Sequence, residues 1–227
     1  MLRTPILIVN CKAYPQGIGI HAVEIASACD KVRQELGVEI AIAVQAPDIY
    51  RIVEKFPKLP VLAQHVDPYP MGSYTGWLVA EAVKAAGAIG TLLNHSEHRL
   101  PLDTLDAAIQ RCRKAGLLTV VCADTPDTAR DIAKLSPDMI AIEPPELIGT
   151  GIPVSKAKPE VVKNGVTAVQ QINSNIPVLC GAGITRGDDV SAALQLGARG
   201  VLVASGVVKA KDVLAAVRDL AVPLKEI

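Results

Sequence analysis

The feature that most constrains this sequence is an alternation that runs from end to end. Short apolar runs take turns with longer amphipathic stretches. The runs predict strands over residues 5–10, 38–44, 61–65, 89–93, 117–122, 139–142, 177–180 and 200–203. The stretches between them predict helices over residues 19–36, 48–55, 75–86, 102–115, 126–134, 159–173, 188–196 and 212–220, the first of them stopped by Gly37. Strands that alternate with helices form parallel sheets through right-handed crossovers. Eight such units, with no linker and no break in composition, predict an α/β fold in which residues 1–227 form a single (β/α)8 barrel domain. A doubly wound open sheet is the competing arrangement. It needs fewer strands, and it usually carries a Gly-x-Gly-x-x-Gly turn after the first one, which is missing here.

Hydrophobic residues make up 50% of the chain but aromatics only 3%, so the core must be built from Val, Ile, Leu and Ala. Those residues suit the buried faces of parallel strands. Lys plus Arg equals Asp plus Glu at 23 each, and no basic run occurs, which argues against a nucleic acid or a membrane surface as the main partner. Cys11, Cys29, Cys112, Cys122 and Cys180 are widely spaced and form no Cys-x-x-Cys, so buried free thiols in a reducing compartment are expected. The N-terminus shows no signal pattern and no apolar run is long enough to span a bilayer. These points predict a soluble cytoplasmic protein. The four histidines, His21, His65, His95 and His98, lack zinc-type spacing, and neither a metal nor a cofactor is expected.

In a barrel of this type the chemistry gathers at the C-terminal ends of the strands. Asn10 and Lys12 follow the first strand and alternate with Cys11, so both can face the mouth. His95 is the first imidazole past the fourth run; a turn of helix opening there would favour its neutral form. Glu143 ends the sixth run. Pro144 and Pro145 stiffen the backbone just after it, and Gly149-Thr150-Gly151 loosens it again. That pattern fits a lid hinged beside a carboxylate base, and it equally fits an ordinary loop with a solvated glutamate. Small residues follow the last two strands at Gly181-Ala182-Gly183 and Ala204-Ser205-Gly206. Exposed N–H groups in these two loops are a common barrel solution to phosphate binding, and also an ordinary property of tight turns. A cation, an amide, an imidazole, a carboxylate and an anion site together suit proton abstraction beside the carbonyl of a small phosphosugar.

Three of these blocks resemble triosephosphate isomerases. Asn10-Cys11-Lys12 is similar to the family's Asn-x-Lys, His95-Ser96-Glu97 with Arg99 to its His-Ser-Glu-x-Arg, and Glu143-Pro144 through Ile148-Gly149-Thr150-Gly151 to its base and lid. The resemblance runs in order over nearly the whole chain and implies a TIM barrel. Departures occur at Asn94 where most members have Gly, at His98 where Arg is usual, at Trp77 where Glu is common, and at Pro145-Glu146-Leu147 in the lid. These traits and the short chain are similar to the compact archaeal branch.

The resemblance implies interconversion of dihydroxyacetone phosphate and D-glyceraldehyde 3-phosphate. Glu143 is then the base and His95 the neutral electrophile, a pairing that is the known pattern of this family and not something read from spacing. Lys12 and Asn10 serve as catalytic and substrate-binding groups, with Glu97 close to Lys12. Ile148, Gly149, Gly183, Ala204, Ser205 and Gly206 are the expected phosphate contacts. Another phosphosugar enzyme remains an alternative, as does an inactive anion-binding barrel. The first would want a metal cluster or a Schiff-base lysine on a strand. The second would have lost Lys12, His95 or Glu143, and all three are present. Val66 to Tyr74 forms a long loop with Tyr and Met near its tip, which favours self-association. The resemblance makes that a homotetramer, with a homodimer as the alternative.

Overall fold

The computed structural model describes residues 2–144 and 158–225. Eight strands form a closed barrel in chain order: β1 Ile6–Asn10, β2 Glu39–Val44, β3 Val61–Ala63, β4 Gly90–Leu93, β5 Leu118–Ala123, β6 Met139–Ile142, β7 Val178–Gly181 and β8 Gly200–Val203. Every pair is parallel, and β1 closes the ring by pairing with both β2 and β8. The described helices are α1 Ile20–Leu36, α2 Ala46–Lys55, α3 Ala80–Ala85, α4 Leu102–Ala115, α5 Pro126–Lys134, α6 Pro159–Ile172, α7 Gly187–Gln195, α8 Ser205–Val208 and α9 Val213–Ala221. Gly37 ends α1 in the left-handed conformation expected of a helix stop.

The strands read as unbroken apolar runs because both of their faces are covered. Residues of one parity fill the barrel: Ile6, Ile8, Ala41, Ala43, Leu62, Leu92, Val120, Met139, Ala141, Leu179 and Leu202. Their neighbours, among them Leu7, Val9, Ile40, Ile42, Leu93, Ile140 and Val201, form a second cluster with the helix faces outside. No Phe, Tyr or Trp ring belongs to the buried set among the described residues. All five thiols are free and buried.

Gly200 closes the ring. Its φ is +143°, and a Cβ there would lie 2.2 Å from the Ile6 carbonyl oxygen and 2.8 Å from the Ile6 nitrogen. Gly200→Ala therefore forces β8 away from β1. The expected loss is about 3 kcal/mol, the upper end for overpacking a core, read as a lower denaturant midpoint.

Three elements depart from the sequence expectation. The helix expected from residue 75 begins at Ala80, because Asp67 holds the chain before it extended. The Asp67 N–H donates to the Leu78 carbonyl at 2.8 Å, and the Asp67 carboxylate accepts from the Leu78 N–H at 2.7 Å. β3 stops at Ala63, where Gln64 and His65 leave the ladder to hydrogen-bond with their side chains. The short helix α8 was not among the expected elements; four residues carry no helical period.

Candidate active site

Asn10, Lys12, His95 and Glu143 meet at one end of the barrel on a single small cavity, with Tyr14, Gly183, Thr185, Leu202, Ala204 and Ser205 on its wall. The four polar groups are only 4%, 8%, 7% and 6% exposed, so bulk water reaches them poorly. Asn10 and Glu143 share the parity of the inward residues below them, Ile8 and Ala141. His95 does not: strict alternation after the inward Leu92 would turn it outward. The left-handed backbone at Asn94 (φ +56°) redirects the chain.

Asn94 holds that turn with its own side chain. Its amide nitrogen donates to the Cys122 carbonyl at 3.0 Å, and its oxygen accepts from the Leu100 N–H at 2.9 Å. Asn tolerates the left-handed region better than most residues, so it fits where glycine was expected. The segment after His95 is a single turn closed by the His98 N–H on the His95 carbonyl at 2.7 Å, and the next helix starts only at Leu102. The expected helix terminus is thus replaced by one local bond. The Glu97 N–H donates to His95 Nδ1 at 3.1 Å. Nδ1 is therefore the acceptor of a neutral ring, and the proton sits on Nε2.

His95 Nε2 lies 3.6 Å from Glu143 Oε2. That is too long for a hydrogen bond, and Oε2 is a buried carboxylate oxygen with no hydrogen-bond partner. A buried acceptor left unmet is costly and calls for a reason; here donor and acceptor face a common space unspent. The rest of the Glu143 side chain is confined. The Cys122 thiol stands beside it on β5, and burial together with the Glu143 charge pushes that thiol well above the usual range. The Glu143 N–H donates to the Ala123 carbonyl at 2.8 Å.

Lys12 also has positive φ, at +49°. Its N–H donates to Asn10 Oδ1 at 3.0 Å, and Gln64 Nε2 donates to its carbonyl at 3.0 Å and lies 3.2 Å from Asn10 Oδ1. Gln45 Nε2 in turn donates to Gln64 Oε1 at 2.9 Å. The Asn10 oxygen is thereby occupied, which leaves its amide nitrogen to donate. Lys12 Nζ donates to Glu97 Oε1 at 2.7 Å, in keeping with the expected proximity of these two residues. Strained backbone at Lys12, Asn94 and Ala182 (φ +69°) clusters at the C-terminal strand ends, as it does where a site over-determines its geometry.

At the opposite wall, Ala182 and Gly183 are both left-handed. The Asp189 carboxylate ties down the loop by accepting from the Thr185 and Arg186 N–H groups at 3.1 Å each. α8 starts across from it, and its first N–H groups, at Ser205 and Gly206, have no acceptor within the helix. Of the expected phosphate contacts, Asn10, Lys12, Gly183, Ala204 and Ser205 line the cavity. Gly206 does not; it packs against Ile184 and Thr185, where a Cβ would come within 3.2 Å of backbone. Ile148, Gly149 and the expected lid ending at Gly151 lie outside the described residues. Tyr14, which also lines the cavity, carries Lys209 Nζ 4.0 Å over its ring. Among the described residues no cluster of His, Cys, Asp or Glu is placed to hold a metal ion.

Gln64 and Gln45 were not anticipated: each hydrogen-bonds a group on a neighbouring strand end, and no spacing within a single segment announces that.

Comparison with known proteins gives a consistent result. The family model described as "Triosephosphate isomerase" matches residues 5–220. A triosephosphate isomerase of Methanosarcina acetivorans is 52% identical over 219 residues, covering 96% of this chain and 98% of that protein. One of Methanocaldococcus jannaschii is 53% identical over 215 residues, covering 95% and 98%. A crystal structure of triosephosphate isomerase from Bartonella henselae superposes with a TM-score of 0.75 at 23% identity, over 95% of this chain and 98% of that one, and supports the fold alone.

Proposed function

Because this chain belongs to the triosephosphate isomerase family, we propose that the mouth of its barrel interconverts dihydroxyacetone phosphate and D-glyceraldehyde 3-phosphate by proton transfer through an enediolate. The Glu143 carboxylate takes the proton from the carbon beside the carbonyl and returns it to the neighbouring carbon. His95 donates from Nε2 to the carbonyl oxygen and helps move the hydroxyl proton. Lys12 offsets the charge of the phosphate and of the developing enediolate, and the Asn10 amide donates a hydrogen bond. The N–H groups at Gly183, Ala204 and Ser205 take the phosphate, with those of Ile148 and Gly149 completing the grip. What carries this reading is the unspent pair: a ring whose Nδ1 is already satisfied, leaving an Nε2–H beside an unpartnered, buried carboxylate oxygen.

The test is a coupled assay of glyceraldehyde 3-phosphate isomerisation with purified protein. Turnover inhibited competitively by inorganic phosphate is expected; a folded protein with no turnover overturns the assignment.

We also propose that the enzyme is cytoplasmic and works as a homotetramer. The loop before α3 supports self-association, since residues 70–77 are all exposed. In that stretch Met71 and Trp77 are 69% and 52% exposed, and Tyr69 stacks on Tyr74 and meets Trp77 edge-on. Such a patch on a water-facing loop fits an interface. Met71→Glu is expected to shift the sedimenting species towards monomer. A parent protein that sediments as a monomer removes the proposal, and a dimer corrects the number of copies.

A further inference from the structure

The Glu143 side chain lies over a glycine. β6 and β7 pair with Ile142 opposite Cys180, so Glu143 and Gly181 sit side by side just beyond that pair. Both share the inward parity, Glu143 with Ala141 and Gly181 with Leu179. A Cβ built on Gly181 would lie 2.4 Å from Glu143 Cγ, 2.8 Å from its Oε1 and 2.9 Å from its Cδ. All three nearest atoms belong to that one side chain. The φ of Gly181 is not in the left-handed region, so nothing in its own backbone demands glycine. The demand comes from the neighbour. On the other flank, Cys122 of β5, which pairs with Ala141, stands beside the same carboxylate, and β5 also holds the Glu143 N–H.

We infer that Gly181 is a positioning residue for this reaction: its missing side chain forms one wall of a slot, closed on the other side by Cys122, that sets where the Glu143 carboxylate stands relative to His95. Any L side chain at this place takes the volume that Glu143 Cγ occupies. The contact falls on a mid-chain methylene and not on a freely turning end, so the carboxyl must swing away from the position 3.6 Å from His95 Nε2. The backbone and the phosphate wall at Gly183, Ala204 and Ser205 need not move. The base is displaced while the substrate still binds.

This inference rests on the reading of Glu143 as the base, and the experiment separates the two. Gly181→Ala is expected to keep KM and the inhibition constant of inorganic phosphate near their parent values while kcat falls on the order of 10²-fold, the scale of a misplacement of about 1 Å. Its melting temperature falls in the parent background. In a Glu143→Ala background the same substitution leaves the melting temperature unchanged, because the colliding side chain is gone. A general loss of strand stability would persist in both. Should the single variant not fold, folding of the double variant shows the same exclusion. A double variant that also fails to fold overturns the inference, as does a Gly181→Ala enzyme of parental kcat. Parental turnover in Glu143→Gln overturns the base reading instead.

Discussion

Glu143→Gln is expected to leave the barrel folded and to lower kcat by on the order of 10³-fold, within the range that a positioned general base supplies. The amide has the volume of the carboxylate and fits the same slot between Cys122 and Gly181. It cannot accept a proton from carbon. Stability is expected to hold or to rise slightly, because the substitution removes a charge from a group only 6% exposed whose Oε2 has no hydrogen-bond partner. Glu143→Asp is expected to keep the charge and still lose most turnover, since it draws the carboxylate back by one methylene. Steady-state kinetics beside a thermal melt decides the matter. Unchanged kcat in either folded variant removes Glu143 from the chemistry.

The second large effect is expected at Lys12. Among the described residues it contributes the only Lys or Arg side chain on the cavity wall. Lys12→Ala is expected to lower kcat/KM by roughly 10³-fold, comparable to the loss of a main electrostatic contact to developing charge. The protein should stay folded. The Lys12 side chain is buried, but its partner Glu97 is 58% exposed and regains water when the pair is broken, so the stability cost stays within about 1 kcal/mol. The backbone strain at φ +49° is the same for alanine as for lysine. Weak binding of inorganic phosphate to a folded Lys12→Ala protein is the outcome expected; parental binding and kinetics remove Lys12 from the site.

Much of this was legible in the chain because the relevant signals are local. Each strand of the barrel is an apolar run with a turn at each end, and helices such as α4 and α5 carry a clean 3.6-residue period between a proline and a stop. The placement of the candidate residues was legible for the same reason: Lys12, His95 and Glu143 lie just past such runs, and the structure brings them to one cavity. What stayed hidden is set by contacts between segments. Thr75-Gly76-Trp77 looks like the start of a helix until Asp67, several residues upstream, claims Leu78 in both directions. A helix end was expected beside His95, but what meets its Nδ1 is the Glu97 N–H of a single turn. Asn94 stood out in the sequence as a departure, yet only its positive φ and its two side-chain bonds give it a purpose. Gln64 carries no signal in one dimension, and Gly181 read only as part of a small-residue turn, because the strand beside each decides what it touches.

The five buried thiols have a consequence for how this protein meets oxidants. Burial pushes Cys11, Cys112 and Cys180 up to about 12, and holds Cys29 and Cys122 well above the usual thiol range. A thiol held protonated at neutral pH is a poor nucleophile towards peroxides and alkylating agents. The folded barrel is in effect redox-silent. Modification must wait for the chain to open, and the five positions are spread over the start of the barrel, α1, α4, β5 and β7. Each cysteine therefore acts as a clock for its own neighbourhood, and the order in which they react traces the path by which the barrel comes apart.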